Sequence, residues 1–123
     1  MDVSNPLSPQ QLNALRPRPL VAEFTFVDVS PGGSVLAGTV PAGYRAVDSV
    51  VEIDVGFDAG TQITVGDAVA QARLQAIVDN DPSVAGAYET DNNEKYASDT
   101  AISVYFPAGN PTVGVGRAII YIA

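Results

Sequence analysis

The sequence predicts an all-β domain: a β-sandwich or jelly roll of seven to eight short antiparallel strands, with one short helical insertion and an extended N-terminal arm. Three observations carry this. Apolar residues recur at every second position in several short runs, which is the period of a half-buried strand. Turn-forming clusters separate these runs, drawing on 11 glycines and 9 prolines in 123 residues. There is no sustained strand–helix alternation and no internal repeat, so parallel βαβ architectures and solenoids are disfavoured. A chain of this length fits one domain that buries a core without staples. The domain is placed at residues 20–123, behind an arm of residues 1–19.

The arm contains Pro6, Pro9, Pro17 and Pro19, which exclude a long helix or an inner strand. One short helix fits, with Ser8 as N-cap, Pro9 as first helical residue and Gln11 answering in a capping box. Leu7, Leu12 and Leu15 are the apolar anchors. Arg16 and Arg18 are the only concentrated positive charge. Such a segment suits docking on a partner.

Residues 20–29 alternate Ala22, Phe24 and Phe26 against Glu23, Thr25 and Val27 and read as a strand, closed by the Ser30–Gly33 turn signal. A short strand follows at 34–40 and is broken at Pro41. The clearest stretch is 48–66. Val51, Ile53, Val55 and Phe57 oppose Val50, Glu52, Asp54 and Gly56; Asp58-Ala59-Gly60 supplies a turn; Ile63 and Val65 resume the alternation. The simplest reading is a hairpin. Residues 68–78 are rich in helix formers and predict a helical turn or two, ended by Asp79–Pro82. A short strand is expected at 83–88, then a long exposed polar loop at 89–98. Residues 99–106 form a strand, 107–111 a turn, and 114–122 the last strand. Ile120 and Ile122 mark one face of that strand and Ile119 and Tyr121 the other. Both faces are apolar, so it is expected to be central, or covered by a neighbouring subunit through Ile119 and Tyr121.

Composition narrows function. Fourteen acidic residues face six basic ones, for a net charge of −8. A nucleic-acid partner requires a basic footprint, and an anionic membrane surface the same, so neither is expected. No apolar run approaches the roughly 20 residues of a membrane helix, and the first residues lack the pattern of a signal peptide. With no histidine and no cysteine, triads built on Ser-His or Cys-His and ordinary zinc sites are excluded within the chain. Glu52 and Asp54 lie two apart on one strand face and point the same way, unlike a carboxylate pair facing across a cleft. The Asp79–Asp81 and Asp91–Glu94 clusters lack EF-hand spacing and match turn chemistry. Gly114-Val115-Gly116 precedes a strand and lacks the strand-to-helix context of a phosphate loop. No catalytic, cofactor or metal residue is therefore assigned, and no enzyme activity is expected. Tyr44, Tyr88, Tyr96 and Tyr105 are the candidates for a sugar platform.

Over residues 40–122 the order is Val40-Pro41-Ala42-Gly43-Tyr44, an alternating strand, Phe57-Asp58-Ala59-Gly60, Thr61 to Asp67, a helical insertion, Lys95 to Phe106, and the Gly114-to-Tyr121 strand. This order resembles the small decoration, or cement, proteins of tailed-bacteriophage heads. The resemblance implies a jelly-roll or β-sandwich body, a homotrimer, and a position on the outer capsid surface bound to the major capsid protein. In that reading Leu7, Leu12, Leu15, Arg16 and Arg18 form the capsid-binding arm, and Ile119 and Tyr121 pack between subunits. The alternative, a receptor- or glycan-binding module of a tail fibre or adhesin, would bind through the 89–98 loop.

Overall fold

The computed structural model describes residues 18–123, and within them the alternating runs form seven strands in two antiparallel sheets. The strands are β1 (Arg18–Thr25), β2 (Gly33–Val40), β3 (Arg45–Val55), β4 (Thr64–Gly66), β5 (Gly86–Lys95), β6 (Thr100–Phe106) and β7 (Val115–Ile122). One sheet has the order β1-β7-β3-β5 and the other β2-β6-β4. The all-β sandwich predicted from periodicity is the observed fold. The expected Ser8-capped helix lies outside the described residues.

Side chains at every second position point between the sheets and form one core. Phe24, Phe57 and Phe106 are its centre; the Phe24 ring lies 5.9 Å from Phe57 and 5.4 Å from Phe106, the latter edge-on. Val51, Ile63, Val65, Ile102, Val104 and Ile120 complete the layer and are all buried. β7 is central, between β1 and β3. Its Ala118, Ile120 and Ile122 are buried, while Ile119 and Tyr121 on the other face are half-buried.

Three expectations are corrected. The 48–66 stretch is not a hairpin: β3 pairs with β5 and β7, whereas β4 pairs with β6 in the opposite sheet. A register irregularity between Ile53 and Val55 breaks the alternation, and Val55 is 45% exposed instead of lying in the core. The chain then crosses between sheets and buries Phe57 on the way, with the Phe57 N–H donating to the Pro82 carbonyl. Local alternation fixes the strands, but it carries no information on which strand pairs with which.

The segment 68–78 is not a helical insertion; its only helical turn is the 3₁₀ turn Ile77–Asp79. Propensity is overridden by non-local bonds. The N–H groups of Leu74 and Gln75 both donate to the Val65 carbonyl, and Val65 N–H donates to the Gln75 carbonyl. The segment thus lies along the free edge of β4. Residues 86–95 are a ten-residue strand, not a short strand followed by a loop. β5 is polar because it is an edge strand with alternate residues in solvent, and charge on such an edge opposes strand addition.

Gly114 shows how tightly the crossing is built. Its φ is +143°, and a Cβ there would lie 2.2 Å from the Phe57 ring. Gly114→Ala is expected to destabilise the fold by about 2 kcal/mol, through overpacking and backbone strain. A urea melt with an unchanged midpoint would contradict this.

Candidate functional site

The outer face of the four-stranded sheet gathers the side chains with interaction potential. Its register places Pro19, Tyr121, Asp48 and Asp91 in one cross-strand row. The next row holds Val21, Ile119, Val50 and Glu89, and a third Glu23, Arg117, Glu52 and Ala87. The middle of the face is thus apolar: Val21, Val50 and Ile119 lie side by side with Tyr121 diagonal to them, and such neighbours pack along a sheet face. Val21 is 45% exposed; Val50, Ile119 and Tyr121 are half-buried.

One side of this apolar centre is ionic. Arg117 Nε sits 2.8 Å from Glu52 Oε2, in ion-pair contact without hydrogen-bond geometry. Its Nη2 reaches Asp54 Oδ2 at 3.2 Å. These groups are a third or more exposed, and such surface pairs contribute on the order of 0–1 kcal/mol. The solvated reading of Glu52 and Asp54 matches what is seen.

The other side carries three carboxylates, Asp48, Glu89 and Asp91, whose oxygens come within 4.8 Å of one another. The Glu89 carboxyl is held above its ordinary range, first by the charge of Asp48 and then by Asp91. One ligand atom each from three carboxylates falls short of the six to eight oxygens Ca²⁺ takes. Sequence alone places Glu89 and Asp91 in an exposed loop. Only their pairing in β5 opposite Val50 and Asp48 brings the three acids together, although their two-residue spacing is the signal of a shared strand face.

At the open edge between β4 and β5, buried Asp67 organises the covering segment. Its Oδ1 accepts from the Val69 and Ala70 N–H groups, and its Oδ2 accepts from Arg73 Nε at 2.7 Å and the Tyr96 hydroxyl at 3.2 Å. Burial alone pushes the Asp67 carboxyl up. Arg73, the Ala70 N–H and Tyr96 together reverse this and hold it below its ordinary value. The Tyr96 phenol is pushed well above its usual range, by burial first and then by the Asp67 charge. Beside this group Gln75 donates to the Tyr88 carbonyl, Asn80 donates to the Ile63 carbonyl and to Gln75 Oε1, and Asn92 donates to the Leu74 carbonyl. All of this is structural bonding, and it ties the covering segment to both sheets. Asp79 and Asp81 likewise serve local turns, accepting from Ala76 N–H and from Ser83.

The residues expected to mediate contacts are distributed as follows. Leu7, Leu12, Leu15 and Arg16 lie outside the described residues. Arg18 is the first residue of β1, pairs with Ile122, and sets its guanidinium 4.8 Å from the centre of the Tyr44 ring, a cation–π arrangement. Ile119 and Tyr121 lie on the outer sheet face just described.

No family model matches the sequence, and no curated protein matches it either. Solved structures do match in fold. A chain of the acidic stable capsid structure of Helicobacter pylori bacteriophage KHP30 superposes with a TM-score of 0.68 at 15% identity, covering 87% of this chain and 86% of that one. A chain of the cyanophage Pam1 capsid asymmetric unit gives 0.64 at 14% identity, covering 99% and 92%. A chain of the capsid of Ralstonia phage GP4 gives 0.58 at 12% identity, covering 86% and 83%. The protein therefore has a fold found in chains of three phage capsid structures.

Proposed function

We propose that this protein is a structural, non-enzymatic component of a phage virion that decorates and stabilises the outer surface of the capsid by binding major capsid protein subunits. The observation that carries this reading is the fold likeness to chains in three phage capsid structures, each covered over more than four-fifths of its length. The absence of a basic footprint in a chain of net charge −8 fits a partner that is protein and not nucleic acid.

In this reading the body is a homotrimer packed through the apolar centre of the outer sheet face, with Ile119 and Tyr121 at the contact. The arm reaches the shell through Leu7, Leu12, Leu15 and Arg16, with Arg18 at its root on β1. Three arms engaging three shell sites at once gain from effective concentration, so each contact can be weak. No cofactor takes part. The glycan-binding alternative rested on an exposed loop at 89–98, most of which is paired strand.

Deleting residues 1–17 leaves β1 intact. The truncated protein is expected to keep its circular dichroism spectrum and melting temperature while its occupancy on purified heads of the parent phage falls at least tenfold. Unchanged occupancy would overturn the arm assignment. Sedimentation of the full chain should show a trimer that Tyr121→Asp converts to monomer; a wild-type monomer at high concentration would rule the trimer out.

A further inference from the structure

The far end of the outer sheet face carries a second apolar surface, at the opposite end of β1 from the arm. Three elements meet there. β1 runs into the 3₁₀ turn Phe26–Asp28, whose Phe26 N–H donates to the Gly114 carbonyl at 3.0 Å. β7 starts beside it, with Val115 opposite Thr25 on one side and Val55 on the other. Phe26, Val27, Val55, Val113 and Val115 are 40%, 76%, 45%, 44% and 39% exposed. Single exposed apolar residues are ordinary; five converging on one end of a sheet mark an interaction surface. A shallow cavity of about 270 Å³ opens beside one of them, Val115, and is otherwise lined by Glu23, Phe24, Thr25, Asp28, Asp54, Gly116 and Arg117.

The charge around the cavity selects the occupant. Glu23, Asp28 and Asp54 line it, and Glu52 stands beside Arg117, whose charge is already shared between Glu52 and Asp54. Four carboxylates around one arginine leave the rim net negative. A second copy seated here by two-fold symmetry would bring the same acids against themselves, which is repulsive. An apolar segment bearing lysine or arginine would instead bury its apolar side chains on Phe26, Val55 and Val115 and place its cations on the rim.

We infer that this end of the sheet docks an extended, apolar and basic protein segment of the shell, as a contact separate from the arm and from the trimer face. The attribution to the shell rests on the decoration reading; the chemistry of the segment rests on this surface alone.

The test uses the ¹⁵N-labelled full chain and two synthetic decapeptides, one alternating valine with arginine and one alternating valine with glutamate. The arginine peptide is expected to shift the amide signals of Phe26, Val27, Val115 and Arg117 while the glutamate peptide leaves them in place. Phe26→Ser with Val115→Ser should weaken binding at least tenfold. Glu23→Gln with Asp54→Asn should weaken it severalfold and flatten its salt dependence, and because both are exposed conservative changes the fold is retained. Equal shifts from both peptides, shifts confined to other surfaces, or no shift at millimolar peptide would overturn the inference. So would conversion of a trimer to monomer by the Phe26→Ser/Val115→Ser pair, since that would give the surface to a second copy. Head binding by the wild type is scored separately. If heads are bound but neither peptide is, this inference fails and the decoration reading stands; if the arginine peptide is bound but heads are not, the decoration reading fails.

Discussion

Phe106→Ala is expected to destabilise the protein by about 3–5 kcal/mol. Phe106 is fully buried at the end of β6, and its ring meets Phe24 edge-on at 5.4 Å. Phe24 in turn packs on Phe57, so the three rings join β1, the sheet crossing and β6. Truncation removes the transfer free energy of the ring and leaves a cavity that backbone on both sheets prevents from collapsing. Domains of this kind have total stabilities of about 5–15 kcal/mol, so the variant should sit near its unfolding threshold. Urea denaturation is expected to show a lowered midpoint with an unchanged slope. A midpoint within 0.5 kcal/mol equivalent of wild type, roughly the size of a neutral surface change, would show that the rings do not hold the sheets together. Phe106→Leu keeps most of the volume and should lose clearly less.

Asp67→Ala should lose about 3 kcal/mol, by a different route. Asp67 is 3% exposed and its carboxylate satisfies four donors: two backbone N–H groups, Arg73 and the Tyr96 hydroxyl. Its removal leaves the buried Tyr96 hydroxyl without that acceptor, and orphaned buried donors cost about 1–3 kcal/mol each. Arg73 is a third exposed and regains water, so its share is small. Loss of protection should be local: amide exchange at Val69, Ala70, Leu74 and Gln75 is expected to accelerate far more than exchange in β7. Uniform acceleration across the chain would show that the segment has no separate anchor. Tyr96→Phe tests the same network and should lose about 1 kcal/mol, since the donor leaves while Asp67 keeps its three other donors.

The same carboxylate gives a pH signature. Its folded-state pKa is lowered from the ordinary 3.8, so its contribution is complete above about pH 4 and is lost as pH falls through the depressed value. Wild-type stability should therefore decline below pH 4, and Asp67→Asn should show a shallower decline there. Glu89 acts with the opposite sign: its pKa is raised by Asp48 and Asp91, so ionising it disfavours the fold as pH rises past its ordinary 4.5, and Glu89→Gln should remove that drift.

The residues of the core and the existence of most strands were legible in the chain. Alternation at Val51 and Ile53, at Ile102, Val104 and Phe106, and at Ile120 and Ile122 identifies the buried faces because a strand turns its side chains by half a revolution per residue. The doubly apolar last strand likewise announced a central position, which β7 occupies between β1 and β3. What the chain could not disclose depended on partners distant in sequence. Whether β4 returned on β3 or joined β6 is a matter of long-range pairing, and both choices satisfy the same local pattern. Residues 68–78 have helical propensity, but that preference is worth tenths of a kcal/mol per residue. It yields to the bonds that Val65 makes with Leu74 and Gln75, and to the four donors on Asp67. The polar run 89–95 looked like a loop because its only requirement, an edge opposite β3, lies some forty residues upstream. The candidate surfaces follow the same division. Ile119 and Tyr121 were visible as an unexplained apolar face, whereas the acidic apolar end formed by Phe26, Val55 and Val115 exists only once β1, β3 and β7 stand side by side. Sequence by itself determined most of the side chains that leave water, Phe26 and Val55 excepted; tertiary structure decided which exposed ones meet, because a surface is an agreement among strands that the chain places far apart.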